Sequence, residues 1–308
     1  YLYDGYDGWY SSQVPTQGKL TAVRTKIDDL RYSQVSYAYD SWGNRTSETT
    51  WSGYGAVDSS PTMDERITTT LFDPTYHTYP VSVENPLGQT ISWTYDYRLG
   101  VPVSETDPNG ALTTAAYDDF GRLVKLVRPG DDSANPTLLV SYSNGAPFET
   151  TIRQRLDGSR YFAIRRVYDG MGRQVRQQSG SGRASGALAV FNTVDTQYVS
   201  ANQTKQSAPY APGQTPAYTI TLQNPIARST TVIAPDGSQT VTVVDGLTTI
   251  VTDPAGRVTT SQADVWGRTV SVTPPDGPGL TYAYDLLGRL LTTTGGGATT
   301  KIKYDMAG

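Results

Sequence analysis

Aromatic and β-branched residues recur at two-residue intervals in short segments along the whole chain, with Ser and Thr filling most positions between them. Tyr37 and Tyr39, Trp93 and Tyr95, and Tyr282 and Tyr284 each stand two apart, as residues on one face of an extended strand must. Leu123 to Val127 (LVKLV) and Thr269 to Thr273 (TVSVT) have the branched, apolar composition of strands. No segment keeps the period of an amphipathic helix. The pattern predicts many short strands and few helices.

A repeated turn separates these strands. Ten times an Asp or Asn is followed three residues later by Gly, or once by Ala: Asp40 to Gly43, Asn85 to Gly88, Asp107 to Gly110, Asp118 to Gly121, Asp169 to Gly172, Asn224 to Ala227, Asp253 to Gly256, Asp264 to Gly267, Asp285 to Gly288 and Asp305 to Gly308. In a type I turn the first residue caps the backbone two residues on, and a Gly in fourth place takes the left-handed conformation. Pro86, Pro108, Pro225 and Pro254 occupy the second place and no Pro occupies the third, where it would push its predecessor out of the helical region. Such a turn joins antiparallel strands as a hairpin with a G1 bulge.

Asn85, Asp96, Asp107 and Asp118 lie eleven residues apart, as do Asp253 and Asp264, which leaves room for one strand and one turn per interval. After Asp96, Gly100 comes one residue late and lengthens the loop. Asp157 with Gly158, Asp245 with Gly246 and Asp276 with Gly277 predict shorter turns at the opposite hairpin ends. The expected fold is therefore all-β: a long antiparallel up-and-down strand array, forming a single domain over 1–308. Residues 179–217, with SGSGRASG and APYAPGQTPA, read as degenerate repeats or a protruding loop, and YVSANQ (Tyr198 to Gln203) puts Asn202 at a left-handed position. At about 4.8 Å per strand, some 28 strands would make a sheet roughly 130 Å wide, a band too shallow to seal an enclosure alone. Both ends are expected to be cut from a longer chain.

Composition narrows the function. The 37% hydrophobic content is low and the 30 Gly and 19 Pro are many, as strands with frequent turns require. Tyr, at 22 residues against 5 Phe and 5 Trp, suits sheet faces that are partly wet. A net charge of −4 leaves no basic footprint for nucleic acid or an anionic membrane, and no apolar run reaches eighteen residues, so neither a nucleic-acid partner nor a membrane span is expected. The absence of Cys excludes disulfides and thiol catalysis.

Candidate chemistry is sparse. His77 is the only His, so no imidazole pair, triad or zinc set can be built on it, and its expected place is a surface loop. Most Asp residues are spent as turn caps, and DGYDG (Asp4 to Gly8) lacks the carboxylate spacing of a calcium loop. The third turn slot holds Trp42, Phe120, Met171, Trp266 and Leu287, expected to pack against the adjoining turn. The Arg after the turn (Arg122, Arg173, Arg228, Arg257, Arg268, Arg289) is expected to stack on a neighbouring Tyr or bridge to the next turn's Asp. No catalytic, cofactor or metal residue is expected.

The strings YDSWGNR (Tyr39 to Arg45), YDDFGR (Tyr117 to Arg122), YDGMGR (Tyr168 to Arg173) and YDLLGR (Tyr284 to Arg289) make the chain similar to the Rhs, or YD-repeat, family. A fifth copy stops at Gly308 after Tyr304 and Asp305, and ADVWGR (Ala263 to Arg268) and QNPIAR (Gln223 to Arg228) are degenerate copies. Members of that family include bacterial polymorphic toxins, components of insecticidal toxin complexes and the teneurins. The resemblance implies a spiral β-sheet that forms part of a hollow shell, and a non-enzymatic scaffold, secreted or at a bacterial cell surface, that encloses or delivers an effector. The implied partners are the remainder of the shell and the enclosed effector. Exposed Tyr and Trp leave an adhesin or glycan-binding role open, and open sheet edges leave self-association into a filament or sheath open. The family's DPxGL-type cleavage motif has only DPNGA (Asp107 to Ala111) and DPAGR (Asp253 to Arg257) as near matches, both read as turns.

Overall fold

Twenty-six β-strands, each joined to its neighbours by antiparallel ladders, and no helix make up the described part of the chain. The structure is a computed structural model that describes residues 1–5, 17–56 and 61–304. The chain divides into two compact units, Tyr1–Ser141 with Arg153–Ser159 and Tyr142–Ile152 with Arg160–Gly308. The all-β, up-and-down architecture read from the turn spacing is the one observed.

In the first unit the strands Arg31–Tyr39, Arg45–Trp51, Glu65–Phe72, Pro80–Glu84, Thr90–Asp96, Val101–Thr106, Leu112–Tyr117 and Leu123–Val127 pair in chain order. The short pair Gly55–Ala56 lies beside Arg31 and Tyr32. In the second unit the same succession runs from Arg160–Tyr168 through Gln174–Gly182 and Ala189–Ser200 to Ala298–Lys301. Stretch 179–217 contributes paired strands here, and its Pro-rich part is tied back by the bridge between Thr193 and Tyr210.

Neither unit has a second layer. Among the described residues the buried hydrophobic ones are Ala22, Tyr32, Tyr161 and Ala163, while most strand positions are half-buried. Tyr161 and Ala163 lie two apart on one face of Arg160–Tyr168 and oppose Gly182 and Gly180. A Cβ on Gly180 would stand 2.4 Å from the Ala189 carbonyl oxygen, so the backbone itself closes over this small core.

Because consecutive hairpins alternate ends, the turns of each unit sort onto two edges. On one edge of the first unit lie the turns opened by Asp40, Asp73, Asp96 and Asp118; on the other lie those of Asn85 and Asp107. In the second unit Asp169, Asp264 and Asp285 share an edge, and Asp253 lies on the opposite one. The ladder slips by one residue beside every turn of the first kind, at Ala38/Tyr39, Leu71/Phe72, Thr94/Tyr95, Ala116/Tyr117, Val167/Tyr168, Gln262/Ala263 and Ala283/Tyr284. Beside Asn85, Asp107 and Asp253 the register is regular. We refer to the two as the bulged and the regular edges.

Two local expectations are corrected. Ala227 does not fill the left-handed slot after Asn224: Asn224 pairs with Ser229, the loop is one residue longer, and the left-handed residue is Arg228, at φ 49°. The Asp96 loop has the same form, with Gly100 at φ 67°. Asn202 is not left-handed either, because Ser200 pairs with Gln203 across a two-residue turn.

Candidate functional site

The repeated turn is a closed hydrogen-bond unit. In Asp285 to Arg289 the Gly288 N–H donates to the Asp285 carbonyl at 3.0 Å, and the Asp285 N–H donates to the Arg289 carbonyl at 2.9 Å. The Asp285 Oδ1 accepts from the N–H groups of Leu287 and Arg289, at 2.9 and 2.8 Å. Gly288 sits at φ 82°, where a side chain would be strained. The same bonds recur at Asp118 with Gly121, Asp169 with Gly172, Asp253 with Gly256 and Asp264 with Gly267, and without the Arg at Asp40 with Gly43.

The Arg returns to the carboxylate of its own turn, not to that of the next. Nε of Arg122, Arg173, Arg257, Arg268 and Arg289 donates to Oδ2 of Asp118, Asp169, Asp253, Asp264 and Asp285 at 2.6–2.8 Å. The turn brings residues i and i+4 side by side, whereas the next Asp on the same edge lies two strands away, about 9.6 Å. Arg122 beside Asp118 and the backbone N–H of Arg289 beside Asp285 hold those carboxyls below the ordinary range.

Turns are coupled through a Tyr near the end of a strand, which at Tyr284 and Tyr304 directly precedes Asp. The Arg268 guanidinium lies 4.8 Å from the Tyr284 ring centroid, Arg289 4.7 Å from Tyr304 and Arg173 4.2 Å from Tyr198. Each of these Tyr hydroxyls donates to the carbonyl of the residue just after that Arg: Tyr284 to Thr269 at 2.7 Å, Tyr304 to Leu290 at 3.0 Å and Tyr198 to Gln174 at 3.3 Å. Tyr117 likewise reaches Pro102, Tyr95 reaches Pro80 and Tyr39 reaches Leu20. Lys19 takes the Arg position against Tyr39, 5.7 Å from its ring. Tyr168 ends its strand against Gln174 at the bulge. Asp305 and Gly308 lie outside the described residues. Replacing Tyr284 by Phe is expected to cost about 1 kcal/mol, read as a lower urea midpoint with unchanged slope.

Sequence reasoning missed the Asp73 turn, in which no Gly follows at the third position. Asp73 is fully buried and accepts four backbone N–H groups, from Thr75, Tyr76, Thr78 and Tyr79. Burial opposes its charge, but those donors outweigh it and bring the pKa from 3.8 to about 2. His77 supplies the left-handed residue at φ 52°. It is not a free surface residue: its ring stacks on Trp42 with centroids 3.5 Å apart, and the Asn44 amide donates to its carbonyl. The other third-slot residues are not buried against a neighbouring turn as expected: Phe120, Met171, Trp266 and Leu287 are each more than three-quarters exposed. The turn at Ala234 to Gly237 was also missed, since its first residue is Ala.

A cleft of about 590 Å³ in the second unit is lined by three ion pairs: Glu149 with Arg165, Asp169 with Arg173, and Asp195 with Arg176. Asp195 is also bound by the Tyr210 hydroxyl at 2.5 Å, and burial of its carboxyl is overcome by Arg176 and Tyr210, which keep it ionised. Every carboxylate in the cleft is thus committed to a partner. Among the described residues no three His, Cys, Asp or Glu side chains gather as metal ligands, and no helix is long and apolar enough to cross a membrane. Of the Asp4 to Gly8 string, Asp4 accepts the N–H groups of Gln17, Gly18 and Lys19, and Asp7 lies outside the described residues. Asp107 and Asp253, in the two DPxG strings, cap turns.

The RHS Repeat family model matches residues 264–300. Comparison with curated protein sequences gave no significant match. Among solved structures, the crystal structure of TcdB2-TccC3 superposes with a TM-score of 0.60 at 16% identity, covering 89% of this chain and 18% of that one. The form of TcdB2-TccC3 without its hypervariable C-terminal region gives 0.56 at 13% identity, covering 89% of this chain and 20% of that one. The match therefore covers no more than a fifth of the length of these two solved chains. Residues 264–300 thus match an RHS repeat, and the Tyr-Asp turn found there recurs in both units.

Proposed function

We propose that this chain is a stretch of wall from a YD-repeat shell, a non-enzymatic scaffold that encloses or delivers an effector polypeptide of an exported bacterial protein. One quantity supports this reading above the others. The chain exposes 19763 Å² of surface, whereas a compact monomer of its 33.4 kDa exposes roughly 12,600 Å². A single-layer sheet with four buried hydrophobic residues among the described residues can divide one space from another but buries little core of its own. The turn ladder strengthens such a wall along its edges without using either face. The likeness to TcdB2-TccC3, over less than a fifth of that chain, fits one section of a longer enclosure.

Electron cryomicroscopy of the full-length gene product tests the proposal. The expected image is a closed wall containing this segment, with polypeptide density in the lumen. A filament of stacked copies, or an open sheet with both faces in solvent, would overturn it.

A further inference from the structure

The loop 143–147 joins Leu138–Tyr142 to Phe148–Asp157 and is closed by Ser143. The Ser143 N–H donates to the Glu149 carbonyl at 2.9 Å, and its hydroxyl accepts from the Glu149 N–H at 2.7 Å. The same hydroxyl lies 3.2 and 3.1 Å from the carbonyl oxygens of Gly145 and Pro147. Within this frame Asn144 and Gly145 are exposed. Neither the Asn144 side chain nor the Gly145 N–H has a hydrogen-bond partner among the described residues. An Asn followed by Gly is chemically reactive, because the next backbone nitrogen can reach the Asn amide carbon and close a five-membered ring. Gly has no Cβ to shield that nitrogen.

The chain holds a second Asn-Gly pair, Asn109 and Gly110, in the Asp107 turn. Both pairs are exposed, and a Cβ on either Gly would meet nothing within 4 Å, so access does not separate them. Hydrogen bonding does. The Gly110 N–H donates to the Asp107 carbonyl at 2.9 Å, and the Asn109 N–H donates to the Asp107 Oδ1 at 2.8 Å. The nitrogen that would attack at Asn109 is therefore already engaged, whereas that of Gly145 is not. Reaction at Asn109 requires both bonds to break first, which slows it by about tenfold or more.

We propose that Asn144 is a site of spontaneous deamidation. Base removes the Gly145 amide proton, the nitrogen bonds to the Asn144 Cγ, and the Cγ–Nδ2 bond breaks as ammonia leaves. Water then opens the succinimide at either carbonyl, leaving an aspartyl or isoaspartyl residue at position 144. One water is consumed and one ammonia released, with no oxidant or cofactor. The loop contributes Pro147 to the cleft of three ion pairs and leads into Glu149, so the reaction adds a carboxylate to the rim of a cleft whose charges are otherwise balanced.

Peptide mapping by mass spectrometry, on the intact 308-residue chain incubated at mildly alkaline pH, tests the proposal. Conversion at position 144 is expected to run about tenfold or more ahead of conversion at position 109, with isoaspartyl product present. Gly145→Pro removes the attacking N–H and should stop the reaction at 144 whether or not the loop keeps its shape. Asp107→Ala releases the second pair and should speed conversion at Asn109 about fivefold while leaving Asn144 unchanged. Equal rates at the two positions, an aspartyl product with no isoaspartyl, or undiminished conversion in Gly145→Pro would each overturn it.

Discussion

Replacing Tyr161 by Ala is expected to destabilise the second unit by about 3–5 kcal/mol, the range for truncating a large buried aromatic side chain. Tyr161 is fully buried, and on one side it and Ala163 oppose Gly182 and Gly180, which have no side chain to fill the vacated space. In a well-packed two-layer domain one aromatic residue is a small part of the core. Here it is one of four buried hydrophobic residues among the described residues. The midpoint of a thermal melt followed by circular dichroism should fall by roughly 10 °C. Leu286→Ala, at a fully exposed turn position, should change stability by less than about 0.5 kcal/mol. A Tyr161→Ala protein that melts with the parent would show that the sheet does not depend on this cluster.

Acid should dismantle the edges. The turn carboxylates Asp40, Asp73, Asp96, Asp118, Asp169, Asp253, Asp264 and Asp285 all titrate below their ordinary value when folded. A carboxyl with a lowered folded pKa contributes stability that is fully present above its unfolded value, about 3.9, and is lost as pH falls through the folded value. The melting temperature should therefore stay level from pH 7 to about 5 and fall steeply below about 4. Asp73, at about 2, should be the last of the eight to protonate. Because backbone N–H groups hold these carboxylates along with Arg, 1 M salt should weaken the effect only in part. Equal melting temperatures at pH 5 and pH 2 would contradict the role given to the turns.

The turn unit was legible in sequence because it is local: an Asp that caps, a Gly that turns left, and an Arg four residues from the Asp. The distinction between edges was legible too, although it lies one residue earlier. Tyr, Phe or Ala precedes Asp on the bulged edges, at Tyr39, Phe72, Tyr95, Tyr117, Tyr168, Ala263 and Tyr284, whereas Glu84, Thr106 and Thr252 precede the regular turns. The partners of those Tyr hydroxyls were not legible, since they lie 14–24 residues away and depend on register. Asp73 escaped notice because His77 and not Gly takes the left-handed place. Arg228 escaped for a related reason: the turn that begins at Asn224 gained one residue, and the strained position moved with it.

The Arg-on-Tyr contacts with their Tyr-to-carbonyl bonds make each turn's fate depend on its immediate neighbours and on little else. Such a chain behaves as a one-dimensional lattice with nearest-neighbour coupling. Opening should start where a partner is missing and spread rung by rung, so amide exchange should slow progressively from each terminal strand inward. Loss of the Arg268 link to Tyr284 would create new fraying ends between Thr269–Thr273 and Leu280–Tyr284 and uncouple the strands that follow from those before.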